Sequence, residues 1–485
     1  MADEPASHQS PGKTGRWKRS IYGLAALAQT DPIPRDTRTK KLLNRTESLP
    51  SNFPPELSVP RVMEHSLRPR RLGVTLSLYL ALSAPLLCVE ANNLLPNPTG
   101  PYPVGRVRYY WIDSARPEPL AAASPAYREL MVDIWYPAET TAGKAPVPYL
   151  PDLASAEKLL GEAVAKKQFG AAYNQIVNRR LSTHAQEGAP FAAPSDDVPV
   201  LIFSHGLGVL KTGYTAQLED LASHGFVVAA IAHTYDTWLV AFPDGRVVRF
   251  DQERRKASNG SERASIQYED SRMQVWATDI RFTIDQLTRY DRETEFQDPF
   301  QGHLDLARLG AFGHSAGGRA AALACQTDAR IRACLNMDGV ADNCPFYRDV
   351  QGNTMSQPFL LFVRKRTGPP PSDEELARMG YAREDLAKLI QSIDGKQDEL
   401  LKSMPAGSYR ITLSTPGANH MNFSDEPLLE PEGDDSLRNQ EIVRTYTRAF
   451  FEKTLVGKRN TVLDRGPAKD PWIRVEWFRP SARHQ

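Results

Sequence analysis

The sequence predicts an α/β protein with a mostly parallel central sheet and helices on both faces. Three observations predict it. Past Val198, short apolar runs alternate with segments of helical period. Those runs are apolar at consecutive rather than alternate residues, as strands covered on both faces require. A glycine-bounded serine directly follows one run and precedes a helical segment.

The elements follow in order. VGRVRYYWID and RELMVDIWYP, between Tyr102 and Pro137, alternate as two antiparallel strands joined by a loop do. Residues 153–181 read as one helix with an apolar stripe of Leu159, Leu160, Ala163, Val164 and Ile176. A Pro/Asp linker leads into the buried strand Val198 to Phe203. Then come helix TAQLEDLASHG, strand FVVAAIAH, a polar stretch to about residue 270 and helix RMQVWATDIRFTIDQLTRY. Strand LGAFGHS, helix GGRAAALACQ and strands IRACLNMD and PFLLFVR follow. Two helical segments between 373 and 403, strand YRITLS and helix LRNQEIVRTYTRAFFEKTL complete the series. The pattern fades after about Val456, which gives a catalytic domain over 92–460 and a C-terminal tail over 461–485.

The N-terminal region differs. Residues 1–62 are rich in Pro, Arg, Ser and Thr without apolar period, and are expected to form an unfolded extension. Over 63–91, Arg68, Arg70 and Arg71 precede an uncharged apolar run from Leu72 to Val89 and a small-residue site at Ala91. These are the parts of a secretory signal, and Met63 just before it offers an alternative start that would make 1–62 an artefact. The run is also long enough for a single membrane anchor. Pro85 and Ala91 favour cleavage, so a secreted or periplasmic product is expected.

Composition narrows the function classes. The 485 residues are 41% hydrophobic and 24% charged with net charge +1, so the chain lacks the positive field that carries nonspecific nucleic-acid binding. Cys88, Cys325, Cys334 and Cys344 have no ligand-like spacing, which argues against a zinc framework. One bridge is allowed, for instance Cys334 with Cys344. No metal or organic cofactor is implied.

The chemistry centres on Gly313-His314-Ser315-Ala316-Gly317. In a strand, tight turn and helix, this G-x-S-x-G string holds a serine in a strained conformation with its hydroxyl above the sheet, and Gly313 and Gly317 avoid collision with neighbouring backbone. Acyl transfer also needs two preorganised donors for the developing oxyanion. The Ala316 amide is one. The other is assigned to Leu207, in the loop Ser204-His205-Gly206-Leu207-Gly208, where His205 is alternatively a packing residue.

A triad on this α/β-hydrolase fold runs serine, acid, histidine along the chain. Only His420 and His484 follow Ser315, and His484 is penultimate, so His420 is the expected base. The turn after PFLLFVR, KRTGPPP, offers no carboxylate. Asp338, closing the preceding strand, is the expected acid, with Asp342 as the fallback.

These residues resemble the platelet-activating factor acetylhydrolase family in its secreted form. The resemblance covers roughly residues 98–455: TGPYPVG, RELMVDIWYPAE, the gap-free IFSHGLGVLKTGYTAQLEDLASHGFVVAAIAH, GHSAGG, NMDG with Asp338 in the acid position, and HMNFSD with His420. It implies calcium-independent hydrolysis of short or oxidised acyl chains at the second glycerol position of phospholipids. Two departures bear on acyl specificity. Ala316 stands where animal members carry a larger aromatic, and segments 210–300 and 365–407 differ. Residues 153–181, with Lys166, Lys167, Arg179 and Arg180, would be the lipid-facing surface unless they simply pack on the core. The alternatives are a secreted polyester, cutin-type, small aryl-ester or dienelactone-hydrolase-like esterase and, in another class, a non-catalytic lipid-binding module.

Overall fold

The computed structural model describes residues 93–121, 126–140, 145–177, 181–192, 197–250, 262–293, 298–339, 355–365, 404–429, 435–465 and 470–478, with scattered positions between 372 and 398. The expected leader over 63–91, Asp342, Cys344 and His484 lie outside them.

Twelve strands are described: β1 (Val104–Pro117), β2 (Tyr127–Pro137), β3 (Gln186–Glu187), β4 (Val198–Ser204), β5 (Val227–Ala232), β6 (Leu239–Ala241), β7 (Val247–Arg249), β8 (Leu304–His314), β9 (Ile331–Met337), β10 (Phe359–Arg364), β11 (Ser408–Leu413) and β12 (Ile473–Phe478). Ten form one sheet in the order β12-β11-β10-β9-β8-β4-β5-β2-β1-β3, while β6 and β7 pair separately. From β5 to β11 the inner six are mutually parallel. The expected β1–β2 hairpin is antiparallel and joins this core through β2 and β5.

Alternate residues of each inner strand feed two cores. Val200 and Ile202 face α5 (Glu262–Arg292) and α6 (Ala316–Thr327) through Trp276, Ile280, Ile284, Ala320 and Ala324. Leu201 and Phe203 face α4 (Thr215–Ser223) and the C-terminal helix α7 (Asp435–Thr454) through Leu218, Leu221, Val443 and Phe450. All thirteen of these side chains are without measurable exposure except Leu221, which is 1% exposed. Burial on both faces explains the uninterrupted apolar runs.

Three expectations need correction. Residues 153–177 form three short helices, α1 (Leu153–Leu160), α2 (Glu162–Phe169) and α3 (Ala171–Val177), interrupted at Gly161 and Gly170, both at positive φ. Leu159 and Ala163 of the expected stripe are exposed, because the interruptions reset the helical phase. The tail carries β12, antiparallel to β11 at the sheet's edge; its alternating IRVEWF suits an edge strand, which needs only one apolar face. Cys334 is bonded to Cys325, tying the end of α6 to β9 within the core.

Candidate active site

Parallel strands deliver their loops to one end of the sheet. Strand order reverses between β4 and β8, and α4 and α6 leave toward opposite faces, which opens a crevice at their carboxyl ends. Ser204, Gly313 and Asn336 are in register across β4, β8 and β9. One to two residues farther stand His205, Ser315 and Asp338.

Ser315 joins β8 to α6 with φ 55° and ψ −121°, a conformation that L-residues seldom adopt. Its amide donates to the Met337 carbonyl at 2.8 Å, tying the turn to the end of β9. A Cβ at Gly317 would collide with the Ser204 carbonyl and stand 2.5 Å from the His205 carbonyl oxygen. At Gly313 it would stand 2.5 Å from the carbonyl oxygens of both Gly317 and Ser204. Both glycines are therefore required by the close approach of β4, β8 and the start of α6.

Asp338 also has positive φ, at 51°. Its Oδ2 accepts from His420 Nδ1 at 2.7 Å and from Arg364 Nε at 3.0 Å. Burial opposes ionisation of this carboxyl, but the Arg364 guanidinium and the bond from His420 prevail and hold it at about 2. A carboxylate only accepts, so the proton of neutral His420 sits on Nδ1 and leaves Nε2 as the basic nitrogen.

His420 opens a 3-10 turn, His420–Phe423, fixed by a reciprocal cap. The Asn419 side chain accepts from the Met421 amide at 2.8 Å, and the Asn422 side chain accepts from the Asn419 amide at 2.5 Å. Phe423 packs against Phe362, ring centroids 5.3 Å apart. The His420 ring lies 4.5 Å from that of His314, the residue before Ser315. Ser315, Asp338 and His420 are thus gathered at one end of the sheet.

The 205–208 loop is held from below. Gly206 N–H donates to the Tyr214 hydroxyl at 3.0 Å, that hydroxyl lies 2.8 Å from His314 Nδ1, and Gly208 N–H donates to the Asp236 carbonyl at 2.8 Å. Ala316 is the first residue of α6, where amides lack intrahelical acceptors. Among the described residues, neither the Leu207 amide nor the Ala316 amide is bonded to a protein acceptor. His205 is fully buried, and burial keeps it neutral by lowering its pKa well below the ordinary value.

Sequence reasoning missed Arg364, Tyr214 and the buried polar groups behind the loop. Arg364 left a trace, a charge closing the buried run PFLLFV. Tyr214 left none, since its role depends on where α4 docks. Among the described residues, no group of three or more His, Cys, Asp or Glu is placed to hold a metal ion.

This arrangement has relatives. A structure titled as a ferulic acid esterase from Streptomyces cinnamoneus superposes with a TM-score of 0.56 at 26% identity, covering 79% of this chain and 99% of that one. A protein of Arthroderma benhamiae named "Probable 1-alkyl-2-acetylglycerophosphocholine esterase" is 23% identical over 402 residues, 78% of this chain and 92% of its own. The platelet-activating factor acetylhydrolase of Bos taurus is 29% identical over 170 residues, 29% of this chain and 34% of its own. The model of platelet-activating factor acetylhydrolase, isoform II, matches residues 87–433, a span that takes in β1 through the His420 turn. With most of its length inside that match, the chain belongs to the platelet-activating factor acetylhydrolase isoform II family.

Proposed function

We propose that this protein is a serine carboxylic-ester hydrolase that releases short or oxidised acyl chains from the second glycerol position of phospholipids through an acyl-enzyme. The observation that carries the reading is the 2.7 Å bond between His420 and Asp338 beside a serine held at positive φ. Ser315 Oγ attacks the ester carbonyl while His420 Nε2 takes its proton, and Asp338 orients the imidazole and stabilises its cation. The Leu207 and Ala316 amides receive the oxyanion. His420 returns the proton to the leaving lysophospholipid oxygen. Water, deprotonated by the same imidazole, then frees the acid and regenerates Ser315.

The Cys325–Cys334 bond supports export to an oxidising compartment, in keeping with a secretory role for 63–91. Among the described residues, no helix is long and apolar enough to cross a membrane.

A fluorophosphonate probe should label the wild type and leave Ser315→Ala untouched; equal labelling would overturn the reading. Phospholipids with acetyl to hexadecanoyl second chains should then be cleaved at rates falling with length. The likeness to the Streptomyces esterase favours a second reading, a small aryl-ester hydrolase. Preference for methyl ferulate over the acetyl phospholipid would select it.

A further inference from the structure

Behind the 205–208 loop lies a second serine–histidine–aspartate string. Ser204 Oγ is 2.7 Å from His233 Nε2, and His233 Nδ1 is 2.8 Å from Asp279 Oδ2. All three are fully buried, so no ester reaches Ser204. The string has another use. Asp279 only accepts, which puts the His233 proton on Nδ1 and makes Nε2 the acceptor of the Ser204 hydroxyl. Arg128 reaches Asp279 through Nε at 3.1 Å and Nη2 at 2.6 Å, and Trp276 stacks on the His233 ring at 4.1 Å. The end of β5 is thereby fixed.

From that fixed end the His233 amide donates to His205 Nε2 at 3.1 Å. His205 must therefore carry its own proton on Nδ1, which points at the Gly206 carbonyl oxygen 2.7 Å away. The carbonyl of Gly206 and the amide of Leu207 belong to one peptide unit. In a planar trans peptide they point in opposite directions, so a grip on one aims the other. Tyr214 holds the opposite end of the same residue, Gly206 N–H.

We propose that His205 and Tyr214 are positioning residues that clamp Gly206 from both ends and so turn the Leu207 N–H toward the reacting carbonyl. The His233 amide, held in place by the Asp279–His233 pair, sets the His205 tautomer on which the clamp depends. This inference rests on the ester-hydrolase reading above and adds to it the groups that preorganise its oxyanion site.

Two variants of one residue separate positioning from bulk structure. His205→Asn keeps a donor near the Nδ1 position, and His205→Gln keeps an acceptor near the Nε2 position without a donor to Gly206. The probes are a short-chain ester and a trifluoromethyl ketone. In the adduct with the ketone, the serine oxygen bonds to the carbonyl carbon, the carbonyl electron pair moves to oxygen as an oxyanion, and the serine proton passes to His420. Ketone binding by the wild type, lost in Ser315→Ala, tests the underlying reading first; absence of wild-type binding sinks that reading and not the clamp alone.

Given that result, His205→Gln should lose about 100-fold in kcat with KM within threefold, the range for losing one oxyanion donor, and ketone affinity should fall in parallel. His205→Asn should stay within about tenfold of wild type. Equal kcat in the two variants, or a fall in kcat with unchanged ketone affinity, overturns the proposal. Tyr214→Phe removes only a hydroxyl and covers the case in which neither His205 variant folds. It should lower kcat about tenfold and weaken the ketone equally, and wild-type values for it would overturn the proposal on their own.

Discussion

Replacing Gly317 by alanine adds one methyl at the most crowded point of the site. The new Cβ would stand 2.5 Å from the His205 carbonyl oxygen and closer still to that of Ser204, whereas ordinary contact begins at 3.4 Å. Both obstacles are backbone, so no side chain can swing aside. Either the start of α6, with Ser315 just before it, or the segment leading to Leu207 must retreat by more than the 0.9 Å that separates 2.5 Å from 3.4 Å. Overpacking of this kind costs about 1–3 kcal/mol of stability. A displacement near 1 Å between nucleophile and oxyanion donors costs about 100-fold in kcat/KM. The assay is hydrolysis of a short-chain ester alongside thermal unfolding, with Gly395→Ala as the matched control, since a Cβ there meets nothing within 4 Å. Gly317→Ala with kcat/KM within threefold of wild type and an unchanged Tm would refute the close-approach argument.

Other perturbations test the electrostatics. Asp338, held at about 2, lends stability that is full above the ordinary carboxyl value near 4 and disappears as pH falls through about 2; its size is about 2 kcal/mol. Arg364→Gln raises that carboxyl, so the stability gap between wild type and variant in denaturant titrations should be widest above pH 5 and shrink toward pH 2; a pH-independent gap contradicts the assignment. Asp425 behaves oppositely. Burial pushes its carboxyl up to about 7 despite bonds from the Ala216 amide and Tyr149, so its contribution is present below about pH 4 and lost as pH rises through 7. Asp425→Asn should flatten the decline in stability between pH 4 and 8, by up to about 4 kcal/mol, as read by unfolding at each pH. Cys325→Ala/Cys334→Ala opens a bridge with sequence separation 9 and should cost about 2–3 kcal/mol in reversible unfolding while leaving kcat near wild type.

How much of this was legible depended on range. Strands buried on both faces announce themselves locally, which is why β4, β5, β8, β9, β10 and β11 stand where the apolar runs stand. The Gly313–Gly317 turn was legible because its motif lies within five residues, although the Ser204 and His205 carbonyls that exclude a Cβ there come from the end of β4. The helical reading of 153–181 failed because a periodicity window averages over Gly161 and Gly170, whose positive φ ends each helix. Strand β12 was hidden because an edge strand needs one apolar face and its partner lies about sixty residues earlier, at Ser408–Leu413. Arg364, Tyr214 and His233 act through contacts set only when the sheet is assembled.

The placement of buried charge carries the same logic into function. On α5, Arg272, Trp276 and Asp279 are spaced by four and three residues and share one helix face. Trp276 Nε1 donates to Asp236 at 2.7 Å and Arg272 Nε reaches the same carboxylate at 2.9 Å, while Asp279 engages Arg128 and His233. Buried ion pairs of this sort add little net stability, because desolvation offsets most of their attraction. An apolar face of equal volume would hold α5 to the sheet as well. It would not, however, fix directions: the Asp236 carbonyl accepts from the Gly208 amide and the His233 amide donates to His205, so the contacts of α5 to Asp236 and His233 end one step from the peptide that carries Leu207. Apolar packing fixes distances with little regard to orientation, whereas hydrogen bonds fix orientation, and an amide that must face a developing oxyanion needs the latter. The concentration of buried polar groups under this one loop is what an ester-cleaving site on this sheet requires.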